Sequence, residues 1–436
     1  MTTSFWQVLT ALVLGIAVIV VLTARYRIHA FFALLIACAL VGVLVGMPAE
    51  TIIDTAKEGF GAIMKSLALV IVLGTCLGRV LETTGGTEAL ANAIVNKLGA
   101  KRSALAINLT GFLVGLPIFC DSGYIVLSGL NNSLSAKTRI PMAVMAGSLA
   151  TGLYAVHCLV PPHPGATAAA GILQVATGTL LLYGALIALP VSIVGWLWVQ
   201  KAGRKYSNAS TAEPTKPVTD WPPLFFALAP VLVPILLIAL HSIMPANTPL
   251  RFIGDPVVAL SIGILLAIPG KRHWTRAAFG HVLQDAAEKA GGILVIIGAG
   301  GAFGAILAKT NLGVHLGEQL NLSGWGIVFP FLLTALLKTA QGSSTVAIIT
   351  AASIVAPLLP NLGMAAGDGP LFAVLAMGAG SMMISHANDA YFWVIAKFSG
   401  LDTKAMLGTY TMASICMGLS AFVIIGALWW LKQVIH

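Results

Sequence analysis

The 436-residue sequence predicts an all-α polytopic membrane protein, with about ten transmembrane helices, two re-entrant hairpins and two discontinuous helices in an inverted-topology repeat. Three observations lead there. Hydrophobic residues make up 58% of the chain and charged residues 9%, against about 25% charge in a water-facing domain; mean hydropathy is +0.94. Apolar runs at 5–22, 30–47 and 412–431 are each long enough to cross about 30 Å of hydrocarbon. No run alternates polar and apolar residues as a membrane barrel requires.

Taken in order, spans are expected near 5–23, 29–47, 58–82, 142–172, 177–199, 222–241, 255–270, 288–308, 370–397 and 409–431. Two further apolar stretches, near 104–135 and 324–360, are too long for one crossing and carry a Gly/Ser/polar cluster in the middle. They predict hairpins that enter the bilayer and return, a backbone tolerated only where protein or a water-filled cavity covers it. The first span has no Lys or Arg before it and Arg25 and Arg27 after it, the reverse of a cleaved signal peptide, so it is expected to stay. Cys38, Cys76, Cys120, Cys158 and Cys416 lie in apolar surroundings without CxxC spacing, which indicates neither disulfides nor zinc.

The net charge of +9 is a topology signal rather than a nucleic-acid footprint. With Arg25 and Arg27 inside, sixteen Lys/Arg fall in cytoplasmic segments and four outside; Lys65, Arg79, Lys289 and Lys338 fall within the membrane and are not counted. Both termini are then external, the hairpin near 104–135 opens to the inner face and the one near 324–360 to the outer face. The same arrangement divides the chain into a first repeat, 1–200, a polar cytoplasmic linker, 201–221, and a second repeat, 222–436. Matching fragments support the division. Gly74-x-x-x-Gly78-x-x-Leu81 recurs 226 residues later as Gly300-x-x-x-Gly304-x-x-Leu307, and the polar hairpin centres at Asp121 and Gly342 are 221 apart.

Four clusters carry chemistry, because an ionised side chain at mid-bilayer costs about 3 kcal/mol on insertion scales and persists only for a reason. In Gly115-Leu-Pro-Ile-Phe-Cys-Asp-Ser-Gly-Tyr124, Pro117 and Gly123 break the helix, and Asp121 is either a proton acceptor or ion ligand or the cap of the returning helix. His157-Cys-Leu-Val-Pro-Pro-His-Pro-Gly-Ala-Thr167 cannot continue as a helix through its prolines. A fresh helix N-terminus near Gly165 and Thr167 would seat an anion; His163 is placed to bond substrate or titrate, and His157 to pack as a satisfied core histidine.

Lys338-Thr-Ala-Gln-Gly-Ser-Ser-Thr345 offers open N–H groups and hydroxyls to a carboxylate or polyol at the second hairpin tip. Lys338 either supplies an anion's countercharge or pairs with an acid. In Ser385-His-Ala-Asn-Asp-Ala-Tyr-Phe-Trp393, His386 and Asp389 share a face if helical, and Ser385, Asn388 and Asp389 are alternatively caps. The histidines and aspartates sit in separate halves without HExxH, so no metal site and no cofactor is expected.

These four motifs, in this order and over most of the chain, resemble the gluconate permease family of proton symporters within the ion-transporter superfamily. The resemblance implies an inverted-repeat fold, usually dimeric, in the bacterial inner membrane, carrying small hydroxylated monocarboxylates such as gluconate, or D-serine in some relatives. The expected partners are therefore a small anionic substrate, the lipid bilayer and a second copy of the chain, with no nucleic acid; the expected activity is transport rather than catalysis. The expected substrate ligands are Ser122, Gly123, His163, Gly165, Thr167, Gln341, Gly342, Ser343, Ser344, Thr345 and Asn388. Asp121, His163, His386 and Asp389 are candidates for the coupling proton, and Lys338 for the anion's countercharge. A proton entering with the anion offsets about 2.3 kcal/mol per charge per 100 mV of membrane potential. A sodium-coupled transporter of the same architecture is the alternative.

Overall fold

A computed structural model describes residues 4–99, 102–206, 222–243, 249–271, 273–310 and 324–435. Most of the expected linker, 207–221, lies outside the described residues, as do Lys101, Lys216 and Arg272. Among the described residues the fold is all helix, without a strand. Seven helices are long and apolar enough to cross a membrane, among them Phe5–Thr23, Thr177–Lys205 and Thr403–Val434. Several other expected spans are short: 30–44 forms a 15-residue helix, about 22 Å of rise.

Two long helices form the spine. We label α1 (Phe5–Val20), α2 (Ala30–Leu44), α3 (Ala49–Thr84) and α4 (Gly86–Leu98); the last has no counterpart among the expected spans, because Gly85 with φ 73° turns the chain there. Next come α5 (Ser103–Gly115), α6 (Cys120–Thr138), α7 (Met142–Leu159), α8 (Pro164–Ile172) and α9 (Thr177–Ala202). The second half holds α10 (Leu224–Ile243), α11 (Pro256–Ala267), α12 (Arg276–Lys309), α13 (Val328–Gln341), α14 (Ser344–Val355) and α15 (Gly369–Ser381). It ends with α16 (Ala390–Ser399), α17 (Thr403–Met406) and α18 (Met412–Ile435). α3 and α12, of 36 and 34 residues, run well beyond the 58–82 and 288–308 expected of them. They pack antiparallel: Gly59 lies against Gly301, Phe60 against Gly298, and Arg79 bonds Asp285.

The two over-long apolar stretches are each a helix, a break and a helix. α5 rises alongside α7, with Asn108 donating to the Ser148 carbonyl and Gly111 lying against Leu149. Both Gly115, before the break, and Gly123, after it, reach Leu153. The chain then returns, and Ser135 on α6 donates to the carbonyl of Ile140, just before α7 begins. In the second half α13 runs alongside α15 in the same sense, from Phe331 beside Gly380 to Gly342 beside Asn388.

One close approach is repeated. A Cβ on Gly152 of α7 would lie 2.1 Å from the Asn108 oxygen and 2.9 Å from the Phe112 nitrogen. A Cβ on Gly380 of α15 would lie 2.3 Å from the Phe331 oxygen and 3.1 Å from the Ala335 nitrogen. At both places helix backbones touch through a residue with no side chain, the means by which apolar helices pack where burial from water supplies little force.

Candidate substrate site

The four interruptions meet around Tyr154. This side chain lies on α7, is fully buried, and shares a hydrogen bond with Ser344 Oγ at 2.8 Å. It also donates to the Ser381 carbonyl at 3.0 Å, which accepts from Ser344 at 3.1 Å as well. Ser381 ends α15, so its carbonyl has no helical partner and needs one elsewhere. Tyr154 thus ties the first half to both the hairpin tip and the helix break of the second. Tyr124, Tyr391 and Tyr410 pack with it, ring centroids 5.7–6.1 Å apart.

In the second half the break is closed by a charge pair. Lys338, with no exposed surface, donates to Asp389 Oδ2 at 2.8 Å and to the Gly342 carbonyl at 2.6 Å. Ser385 Oγ bonds the same Oδ2, and Asp389 Oδ1 caps α16 by accepting from the Tyr391 N–H at 3.0 Å. The unwound backbone is satisfied around it: the Ser385 N–H donates to Ser414 Oγ and its carbonyl accepts from Thr411. Asn388 donates to the Thr339 carbonyl at 2.8 Å, and His386 Nε2 lies 3.2 Å from that oxygen. Gly342 turns the tip with φ +82°, and a Cβ there would meet the Asn388 oxygen at 2.1 Å. Ser343 caps α14, accepting from the Val346 N–H at 3.3 Å.

The first half is held more loosely. The break at Leu116 to Phe119 is tied by His163, whose Nε2 lies 2.6 Å from the Gly115 carbonyl. His157 meets His163 edge-on, ring centroids 5.1 Å apart, and its Nδ1 is buried without a protein partner, so it is packed but not satisfied at that atom. Asp121 does not cap α6: Phe119 holds the cap position, and Asp121 sits exposed in the first turn, where its charge complements the helix dipole. Ser122, beside it, accepts from the Lys289 ammonium of α12, which also lies 4.7 Å over the Phe119 ring. Arg79 bonds Glu82 at 2.5 Å and Asp285 at 2.6 Å at the same end of the α3–α12 pair.

The expected residues thus gather, but not all face open space. His386 and Asp389 lie on unwound chain, so helical spacing does not govern them. The start of α8 packs against α14: Gly165 abuts Thr345 and Ile348, and Thr167 is buried with its hydroxyl unpartnered by protein. The anion seat expected there is filled by protein, because Gly165 lets the two helix starts touch. Gln341 is buried with both amide atoms unpartnered by protein, and Gly123 packs on Leu153. Asn388, Asp121, Ser122, Ser343 and Thr345 retain exposure. Tyr154, Arg79 and Lys289 were missed. The two cations had a signal, since any ionisable residue inside an apolar span is a site candidate; Tyr154 had none.

The pattern of GntP family permeases matches residues 7–431. The chain belongs to the GntP permease family. This permease is 32% identical to a gluconate permease of Pseudomonas aeruginosa, over 93% of the chain and 94% of the relative. It is 31% identical to the Gnt-II system L-idonate transporter of Escherichia coli K12, over 91% and 93%. Among solved structures it resembles Neisseria gonorrhoeae MtrF, with TM-score 0.63, 17% identity and 94% of each chain covered. It also resembles the Alcanivorax borkumensis YdaH transporter, with TM-score 0.61, 17% identity and 88% and 90% covered. Family membership and seven apolar helices together make it a multi-pass membrane permease.

Proposed function

We propose that this permease imports gluconate, or a related small hydroxylated monocarboxylate, across the bacterial inner membrane together with a proton, by alternating access. The observation that carries the proposal is the buried Lys338–Asp389 pair, lodged where the second hairpin tip meets the second helix break. A proton on Asp389 would cancel its charge and leave the neighbourhood one unit more positive. An anion arriving at the tips is then favoured by the proton already bound, which is coupling in its simplest electrostatic form. Of the four titratable candidates, Asp389 alone forms an ion pair with a lysine among the described residues. The substrate class is supported by relatives named for gluconate and L-idonate.

The topology belongs to the proposal too: two re-entrant hairpins, and halves related by inversion. It is supported by the antiparallel α3–α12 spine, by each hairpin running beside its discontinuous helix, and by the matched glycines 152 and 380. Contacts between chain segments agree with the charge-derived sides. Gln7 bonds the Leu44 carbonyl and Lys432 pairs with Asp368, all assigned outside. Tyr206 bonds the Lys404 carbonyl and Asn132 the Phe398 carbonyl, all assigned inside. The resemblance to the gluconate permeases extends the proposal to a homodimer.

Labelled gluconate uptake by the purified full chain in proteoliposomes tests it. An inward proton gradient should drive accumulation above equilibrium, and Asp389→Asn should exchange gluconate without accumulating it. Uptake driven by sodium and indifferent to pH would overturn proton coupling; transport of D-serine but not gluconate would overturn the substrate.

A further inference from the structure

An anion reaching the tips needs a cation that is not already spent on an acid. Two of the three cations at the breaks are spent. Lys338 is fully buried between Asp389 and the Gly342 carbonyl. Arg79 is divided between Glu82 and Asp285. Lys289 is different. Its partners are a neutral hydroxyl, Ser122, and the face of Phe119, and among the described residues no carboxylate lies within ion-pair distance of it. Its acidic neighbours are accounted for: Glu82 and Asp285 are taken by Arg79, Glu288 accepts from Gln284, and Asp121 points to solvent without a salt bridge.

Lys289 also stands in the right place. It lines a crevice with Gly78, Arg79, Glu82, Ile118 and Phe119, at the first hairpin tip. From its ammonium a run of contacts leads inward: the Phe119 ring, 6.0 Å from His163, then His157, then Tyr154, then Ser344 at the second tip. The ammonium comes from the α3–α12 spine, whereas Ser122 belongs to the hairpin, so a ligand held by both would bridge the two parts.

We infer that Lys289 and Ser122 form the carboxylate subsite of the sugar-acid site, with Lys289 rather than Lys338 contacting the anion. The assignment rests on the sugar-acid reading above. A carboxylate oxygen replaces the Phe119 face as the ammonium's partner, while the hydroxyl of Ser122 turns to donate to the same group. Calorimetric binding of gluconate and of its neutral amide, gluconamide, to the detergent-purified full chain tests it.

Lys289→Gln should weaken gluconate at least about tenfold, the worth of one charge-assisted hydrogen bond, and leave gluconamide unchanged. Lys289→Arg should keep the preference for the acid. Equal losses for acid and amide, unchanged gluconate affinity in Lys289→Gln, or loss in the Arg variant as well as the Gln variant would each overturn the subsite. A wild-type protein that binds neither probe would overturn the sugar-acid reading itself, and with it the subsite that rests on it.

Discussion

The two halves of this permease break their helices at corresponding places yet close the breaks by different chemistry. In the second half a fully buried ammonium, a buried carboxylate and two serines lock tip to break through Lys338, Asp389, Ser385 and Ser344. In the first half the corresponding tip is held by one imidazole, His163, and its charges, Asp121 and Lys289, remain accessible. The comparison teaches that similar helix breaks do not imply similar chemistry. The locked half supplies a rigid, charge-balanced reference, and the open half supplies groups that a ligand can still engage.

The largest expected effect breaks the locked half. Lys338→Met leaves Asp389 as an uncompensated buried charge, which costs about 3–5 kcal/mol. A double variant, Lys338→Met with Asp389→Leu, should recover most of that loss while remaining unable to couple a proton. Lys289→Met, on the open half, removes a partly exposed cation with one hydroxyl and one ring partner, and should cost no more than about 1 kcal/mol. Thermal unfolding of the purified variants checks the contrast. Equal destabilisation by the two single methionine variants would erase the distinction between the halves.

A smaller effect sharpens what the halves share. Ala at 380 would put a methyl 2.3 Å from the Phe331 oxygen, and Ala at 152 would put one 2.1 Å from the Asn108 oxygen. Overpacking of this kind costs about 1–3 kcal/mol, so the two substitutions should lower the melting temperature by similar amounts. A neutral Gly152→Ala beside a damaging Gly380→Ala would show that the first hairpin is free to shift away from α7, and the two halves would then not be mechanically equivalent.

The sequence made the breaks legible and left the pairings dark. Proline cannot continue a helix, and glycine and hydroxyl residues inside an apolar stretch have a local reason, so the clusters at 115–124, 157–167, 338–345 and 385–393 could be found without a partner. That Asp389 caps α16 and pairs with Lys338 was among the alternatives those clusters allowed. Which alternative holds depends on residues 51 positions apart meeting in space. The bond from Arg79 to Asp285 joins the spine, and that from Lys289 to Ser122 ties it to α6, each across more than 160 residues. No periodicity reports them. Tyr154 was hidden for a related reason: it sits within α7, away from any glycine or proline break, and only packing reveals that two interruptions lean on its hydroxyl.

The smallest expected effect concerns Asp121, a conspicuous acid in the sequence that the fold leaves exposed. It is exposed in the first turn of α6 and accepts no hydrogen bond that ties it to another helix. Asp121→Asn should therefore change stability by no more than about 0.5 kcal/mol, the usual range for a surface substitution. Because the negative charge near Lys289 is removed, gluconate affinity should rise slightly, and pH-driven accumulation should persist. Uptake into proteoliposomes at matched protein density reads both quantities. If accumulation vanished while exchange continued, the coupling proton would belong to the open half, and the Lys338–Asp389 pair would be left with a purely structural role.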